Sequence, residues 1–440
     1  MNDSSISDKA PSDGRRWYKG NLHTHTFWSD GRAFPEESAA WYKAHGYHFL
    51  ALSDHNVFQD DPARWVPDAK CAEYLPAYQA AFPDAEVRPG AEGGREARAL
   101  TFDEFSARLD EPGRFLLLPA FEATRTAEFS GGRSHQLHMN VVNVPRLLPS
   151  IAAPDFVRTV RDVPLAEFLR RHVEETQALA RSLGRRAFFM LNHPIWQWYD
   201  IPPEVLVETP GVRFFEVCNN GSKLAPAEGL PTDGFDTDRF WDVVNAFRAR
   251  RGQPLLYGLG TDDTHFYRGE DSDGMIMPGN AWIRVRAASL GADALLDAME
   301  AGDFVACEGL EPGDVRFDPA TGTLRVDGGT PPPGVVRTIR FLVSKRDFSE
   351  EPVRTFDVRP ASAPDAVAFE RTIRVYDERI GREAACVEGA PGEAVSASYT
   401  LAPDDLYVRA RIEEPGQPLC TVNLHPQRRL VAWTQPYARA

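Results

Sequence analysis

His23 and His25 stand two residues apart in Asn21-Leu22-His23-Thr24-His25-Thr26, and Ser29-Asp30-Gly31 follows within a few residues. Alternate side chains of an extended strand point the same way, so both imidazoles face one side and can grip a single ion. Neutral imidazole is the commonest metal ligand and suits Zn, Fe, Ni and Cu, and an added carboxylate widens the range toward Mn. Two polar residues on a solvent-facing strand edge would show the same spacing, so the pair alone decides little. Further along the chain stand His55, Glu122, His138, His193, Asp263 and His265, all of types that ligate metal. Five of these six lie just beyond the C-terminal end of a short apolar run. His138 instead precedes the run Met139 to Val144, which leaves two arrangements open. Either that strand runs against its neighbours, or a loop carries His138 to the same rim.

The apolar runs alternate with helical stretches. Strands are expected over Trp17 to His25, His48 to Leu52, Phe115 to Phe121, Ala187 to Leu191, Val212 to Val217 and Leu255 to Leu259. Helices are expected over Pro35 to His45, with proline in its first turn and Gly46 at its end, over Leu165 to Leu183, and over Asp238 to Arg250. Such alternation predicts a parallel sheet or barrel, whose C-terminal rim is where chemistry sits. Residues 60–110, rich in Pro, Ala and Glu, read as an insertion, and as surface decoration more than a lid. A strand (Trp282 to Val285), a helix between Ser289 and Gly302 and a strand (Phe304 to Cys307) finish the first domain, 17–310. Short alternating strands after residue 310 predict a small β-sandwich over 311–440. Residues 1–16 read as a disordered lead-in. His172, mid-helix among charged neighbours, is expected on a solvated face, and His425 as a structural histidine.

The chain's 440 residues are too many for one ordinary domain. A net charge of -15 argues against a duplex nucleic-acid partner. It does not exclude a small anionic substrate, because bound cations invert the sign locally. No apolar run is long enough to span a membrane. The five cysteines are scattered, with no CxxC pair, which favours reduced thiols in a cytoplasmic protein and argues against a cysteine zinc knuckle.

Taken in order, His23-Thr24-His25-Thr26 with Ser29-Asp30-Gly31, Ser53-Asp54-His55-Asn56, Glu122, His138, Asn192-His193-Pro194 and Asp263-Thr264-His265 closely resemble the PHP (polymerase and histidinol phosphatase) metallohydrolases. Gly20-Asn21-Leu22-His23, Phe215-Glu216-Val217 with Asn219 and Asn220, and the Asn280 to Gly309 segment resemble the CehA/McbA branch. The resemblance implies an α/β fold, a distorted (β/α)7 barrel, carrying two to three divalent ions (Zn, Mn or Fe). It implies that His23, His25, Glu122 and Asp263 hold one ion. Glu122 would bridge to a second, completed by His138 and His193, and Asp30, His55 and His265 would hold a third. Asp263 is preferred to Asp262 because the pattern puts aspartate two before histidine, and His138 to His135 because it sits at the mouth of a strand. Asp54 is then expected to orient a ligand. Glu216 takes a catalytic or orienting role, with Glu122, His193 and Glu216 as the catalytic set. Arg125 and Arg268, three residues after a ligand, are candidates to clamp an anion, with His135 and Asn192 as further substrate contacts. Trp196, Trp198 and Tyr199 either wall a pocket or pack the chain locally. The expected activity is metal-dependent hydrolysis of a small phosphate ester. A carbamate, ester or amide hydrolase on the same metals, and a non-catalytic metal-binding module, are the alternatives.

Overall fold

Four-residue runs such as Phe49–Leu52 and Phe188–Leu191 are apolar at every position, and every residue in them is buried. Strands covered on both faces have this composition, which is the composition of an inner parallel sheet. In the computed structural model, which describes residues 14–90, 93–195, 200–219, 236–268, 276–358, 368, 370–416 and 429–439, they lie in one large sheet. Its first seven strands run in the order Tyr257–Thr261, Phe214–Asn219, Phe188–Leu191, Ser134–Val142, Leu116–Glu128, Phe49–Leu52 and Arg16–Asn21. All pairings among them are parallel except those of Ser134–Val142, which is antiparallel to both neighbours. The first of the two arrangements open for His138 is therefore the one adopted: its strand descends toward the rim, so a residue in its first half arrives there.

The two ends of this run meet at the rim. His25 N–H donates to Thr264 O (2.8 Å) and Asp263 N–H to His23 O (2.9 Å). Between the ends these rim bonds and one bridge, Thr24 to Thr264, stand in place of the ladder that would close a (β/α)7 barrel, among the described residues. Arg16–Asn21 pairs instead with Ala281–Ala287, and the sheet continues through Phe304–Glu308 into Arg429–Thr434, Asp405–Pro415, Thr338–Lys345 and Arg382–Glu388. The strands after residue 310 thus extend the sheet of the first part. A separate three-strand sheet (Val315–Asp318, Thr323–Gly329, Val395–Thr400) packs on them, and Leu324, Val326 and Val395 share an apolar cluster with Ile339, Phe341, Val408 and Ile412.

Leu165–Ser182 buries Leu165, Phe168, Leu169, Val173, Thr176, Leu179 and Ala180, the spacing of one helix face. His172 belongs to that face too. It is buried, its ring lies 4.2 Å from that of Phe168, and the solvated position expected for it is corrected. The insertion has a core of its own. Val66, Cys71, Leu75, Tyr78, Ala97 and Ala99 cluster with Phe27, Trp28 and Phe34, so this segment supports the chain around Asp30 instead of decorating the surface. Among the described residues no helix is long and apolar enough to cross a membrane. Trp196, Trp198, Tyr199, Asn220, Cys420 and His425 lie outside the described residues.

Candidate metal centre

Strand ends bring the expected ligands to one place. Glu122, buried, is at its middle: Oε2 lies 3.4 Å from both His23 Nε2 and His25 Nε2 and 2.8 Å from His55 Nδ1, and Oε1 lies 2.9 Å from His138 Nδ1. Asp263 Oδ1 lies 3.1 Å from His23 Nε2 and 3.0 Å from His25 Nε2. Asp30 faces His25 (3.7 Å), His55 (3.6 Å) and His265 (3.5 Å). The chain after Asp30 lies directly on His25: a Cβ on Gly31 would fall 2.4 Å from the His25 carbonyl, so only glycine fits there.

Three overlapping groups result, each compact enough to hold one ion: His25, Asp30, His55 and His265; His23, His25 and Glu122; and His55, Glu122 and His138. His193 joins none of them. Its Nε2 lies 4.0 Å from Asp263 Oδ2 and its ring 4.9 Å from that of His138, so His55 stands where His193 was expected beside Glu122 and His138. Both His193 and Asp263 have left-handed backbone (φ 23° and 52°), strain of a kind that persists where surrounding structure imposes it.

The donor set fits divalent cations. His23 Nε2 and Glu122 Oε2 are buried, have no partner in hydrogen-bonding geometry and face each other at 3.4 Å. Burial works to lower His23, yet Asp263, Glu216 and Glu122 raise it well above the usual imidazole value. His265, likewise opposed by burial, is pushed up to about 9 by Asp30 and Asp263. Burial lowers His25, helped by His265 and His55, and takes His193 down to about 4, helped by His138. Burial would raise Glu122 and Asp263, but the imidazoles hold both well below the carboxylate range. Without a cation, protons on some of the imidazoles balance these carboxylates, and ligation requires those protons to leave.

Around the ligands stands a ring of orienting groups. Glu216 accepts four hydrogen bonds: from His23 Nδ1 (2.6 Å), Thr261 Oγ1 (2.7 Å), His193 N–H (2.7 Å) and Asn219 Nδ2 (2.7 Å). Both its oxygens are thereby occupied, which favours the orienting alternative of the catalytic or orienting role expected for Glu216. By accepting from Nδ1–H it turns the other ring nitrogen of His23, Nε2, toward the cluster. Glu216→Gln is expected to weaken metal binding about 10- to 100-fold, read by competition with a chromogenic chelator. An unaltered affinity would show that His23 needs no such partner. Asp54 accepts from Thr26 N–H, Thr26 Oγ1, Ser29 Oγ and Gln59 Nε2, and so fixes the turn between His25 and Asp30. Asp262 points away from the cluster and accepts from Asn21, Tyr42 and the N–H groups of residues 279–281, and burial raises it to about 6.

Several substrate contacts expected from the sequence are corrected. Arg125 and His135 each stand three residues from a ligand on a strand, and an odd offset puts a side chain on the opposite face. Arg125 packs between Phe156 and Phe168 (4.8 and 5.7 Å), and His135 is held by Asp200 O at 2.5 Å. Arg268 is tied to Glu37 and to Tyr74 O. Asn192 donates to Glu122 Oε1 and Asn140 Oδ1 (both 2.9 Å), and so positions a ligand instead of a substrate. Asn140 and Thr261 were absent from the expected site, and Asn219 was singled out in the sequence without a role. Asn140 was readable, since it follows His138 by two on the same strand.

No family model matches the chain, and no curated protein matches it in sequence. Solved structures do. One is a two-domain protein from Bacteroides vulgatus containing a predicted PHP-like metal-dependent phosphoesterase: 14% identity, 97% of this chain and 95% of that one covered, TM-score 0.40. Another is an amidohydrolase from Chromobacterium violaceum with bound sulfate and no metal: 14% identity, 56% and 87% covered, TM-score 0.29. A third is a candidate metal-dependent phosphoesterase from Bifidobacterium adolescentis, with 14% identity, 56% and 87% covered and a TM-score of 0.28.

Proposed function

We propose that the chain is a metal-dependent hydrolase of the PHP type, acting on a small phosphate ester. The observation that carries this is the convergence of His23, His25, His55, His138 and His265 on Glu122, Asp263 and Asp30, with buried nitrogen and oxygen atoms turned inward. Divalent ions bound there supply Lewis acidity and a water acidic enough to react at neutral pH. His23, His25, Glu122 and Asp263 would hold one ion; His55 and His138, with Glu122, a second; Asp30, His265 and His25 a third. Glu216 and Asn192 keep His23 and Glu122 in their ligating orientations. Burial of Glu122 and His23 keeps bulk water from competing for them.

Three adjoining groups, instead of one, suit a reacting centre with several charged oxygens, which a phosphate ester offers. A second reading has support of its own. Arg125 and Arg268 are engaged elsewhere, so no guanidinium expected from the sequence clamps an anion, and a neutral carbamate, ester or amide remains a fitting substrate. Protein stripped by chelator and reloaded with Mn or Zn is expected to hydrolyse a chromogenic phosphate ester. His25→Ala, loaded in the same way, should show no turnover. Equal activity in that variant defeats the reading, and faster turnover of matched carbamate or aryl ester substrates transfers it to the alternative. Metal retained by a chain that turns over none of them would leave a binding module.

A further inference from the structure

The strands Leu116–Glu128 and Ser134–Val142 form a hairpin that continues past the metal centre. Directly opposed residues along it are Glu122 with Asn140, Thr124 with His138, Thr126 with Gln136 and Glu128 with Ser134. Side chains at alternate positions share a face, so these four pairs form one polar strip that begins at the ligands. The intervening residues Ala123, Ala127, Leu137 and Met139 face the other way, into the apolar core. Strand rise places the Thr126–Gln136 pair about 7 Å beyond the Thr124–His138 pair. That is where the part of a substrate attached to the reacting centre would lie.

The pair is built for hydrogen bonding and carries no charge. Thr126 Oγ1 donates to Gln136 Oε1 at 3.2 Å, which leaves the Gln136 amide hydrogens without a partner among the described residues, and both side chains are half-buried. The backbone beneath is held from outside. Gln136 N–H donates to Asp200 Oδ1 (3.1 Å), and Arg371, from the C-terminal part of the chain, bonds both Asp200 Oδ1 (3.1 Å) and Ser134 O (2.6 Å). Arg371 and Asp200 are both buried. Arg371 thus ties this wall to the strand Arg371–Val375.

We propose that Thr126 and Gln136 form the leaving-group subsite of the metal centre and select a neutral, hydroxyl-bearing alcohol. This rests on the hydrolase reading above. In the reaction water adds its oxygen to phosphorus, the bond from phosphorus to the alcohol oxygen breaks, and the departing oxygen takes up the proton. The subsite meets that alcohol's further hydroxyls with one amide and one hydroxyl. Thr126 and Gln136 themselves offer an anionic substituent no cation and an apolar ring no apolar side chain.

The test uses the full-length, Mn-loaded protein with two probes, glycerol phosphate and 4-nitrophenyl phosphate. Thr126→Val with Gln136→Leu is expected to lower kcat/KM for glycerol phosphate about tenfold more than for 4-nitrophenyl phosphate, at unchanged metal content. Thr126→Ser, which keeps the hydroxyl, should retain the wild-type preference. Equal losses on both probes, or no loss on glycerol phosphate, overturn the subsite and leave hydrolysis standing. If the wild type turns over neither probe, it is the hydrolase reading that fails. Calorimetry then decides the subsite: wild type should bind glycerol phosphate more tightly than inorganic phosphate, and the double variant should not. Equal binding of the two by the wild type overturns it.

Discussion

Glu122→Gln is expected to remove at least one ion per chain and to lower turnover by a factor on the order of 10³ or more, because the shared negative ligand disappears. The substitution is nearly isosteric, so packing is kept and the effect reads the charge. Oε2 faces three imidazoles, those of His23, His25 and His55, and Oε1 faces His138 while accepting from Asn192. Glutamine cannot serve both sides. Its carbonyl oxygen is a weaker ligand without charge, and its amide turns donor hydrogens either on the imidazoles of the cluster or on Asn192, whose amide is itself a donor there. Two of the three ligand groups include Glu122, whereas the group of His25, Asp30, His55 and His265 does not. The residual ion should therefore sit in that last group. Elemental analysis of variant and wild type checks this beside the rate. A variant with full metal content and wild-type turnover would show that Glu122 is not the shared ligand.

The cluster was legible in its residue types, because histidine and carboxylate have few other reasons to gather at strand ends. Histidines and carboxylates buried just past apolar runs need one another as partners, and their order along the chain is the one on which the resemblance rests. The substrate contacts were not legible in that way. Arg125 and His135 were chosen by nearness in sequence to Glu122 and His138, but on a strand a separation of three reverses the face: Arg125 turns onto Phe168 of the helix Leu165–Ser182, and His135 onto Asp200 O. His172 was misjudged for the converse reason. Its neighbours in sequence are charged, but its neighbours in space lie three and four residues away, at Leu169, Phe168 and Thr176. The seven strands from Arg16 to Thr261 were readable from their apolar runs, but Leu116–Glu128 and Ser134–Val142 extend five to seven residues beyond them, and Arg382–Glu388 and Arg429–Thr434 of the same sheet were not expected. What joins them was not: the pairing of Arg16–Asn21 with Ala281–Ala287 spans most of the chain and leaves no local mark. The insertion shows the same limit, since its core is completed by Phe27, Trp28 and Phe34 from outside it.

Arg409→Met is expected to cost about 3–5 kcal/mol, because it leaves the buried carboxylate of Asp242 without its cation and takes one of two arginines from Asp238. Arg409, fully buried on Asp405–Pro415, reaches helix Thr237–Arg250: Nε and Nη2 bond Asp242 (2.8 and 2.6 Å) and Nη1 lies 2.8 Å from Asp238. Tyr407 donates to Asp242 at 2.8 Å, Trp433 to Asp238 at 3.1 Å, and Arg411 adds a 3.2 Å contact to Asp238. Opposite Asp242, Gly381 has φ +63°, and a Cβ there would fall 2.4 Å from its Oδ2, so the turn closes over the pair only with glycine. The cost comes from removing one side of the pairing. Changing Asp242 to asparagine together with Arg409→Met should therefore recover part of the loss, since Asp238 keeps Arg411 and no unpaired carboxylate is then left buried. Burial would raise Asp238, but Arg409, then Arg411, hold it down to about 2, below the ordinary 3.8. A depressed carboxyl stabilises the fold above about pH 4 and loses that contribution as pH falls through 2. Without Arg409 the carboxyl titrates higher, so acid unfolding of the variant should begin at a higher pH than in wild type. Denaturant titrations at pH 7 and along an acid series measure both effects. Wild-type stability at pH 7 in Arg409→Met would mean that this helix and the C-terminal strands are held together by apolar packing alone.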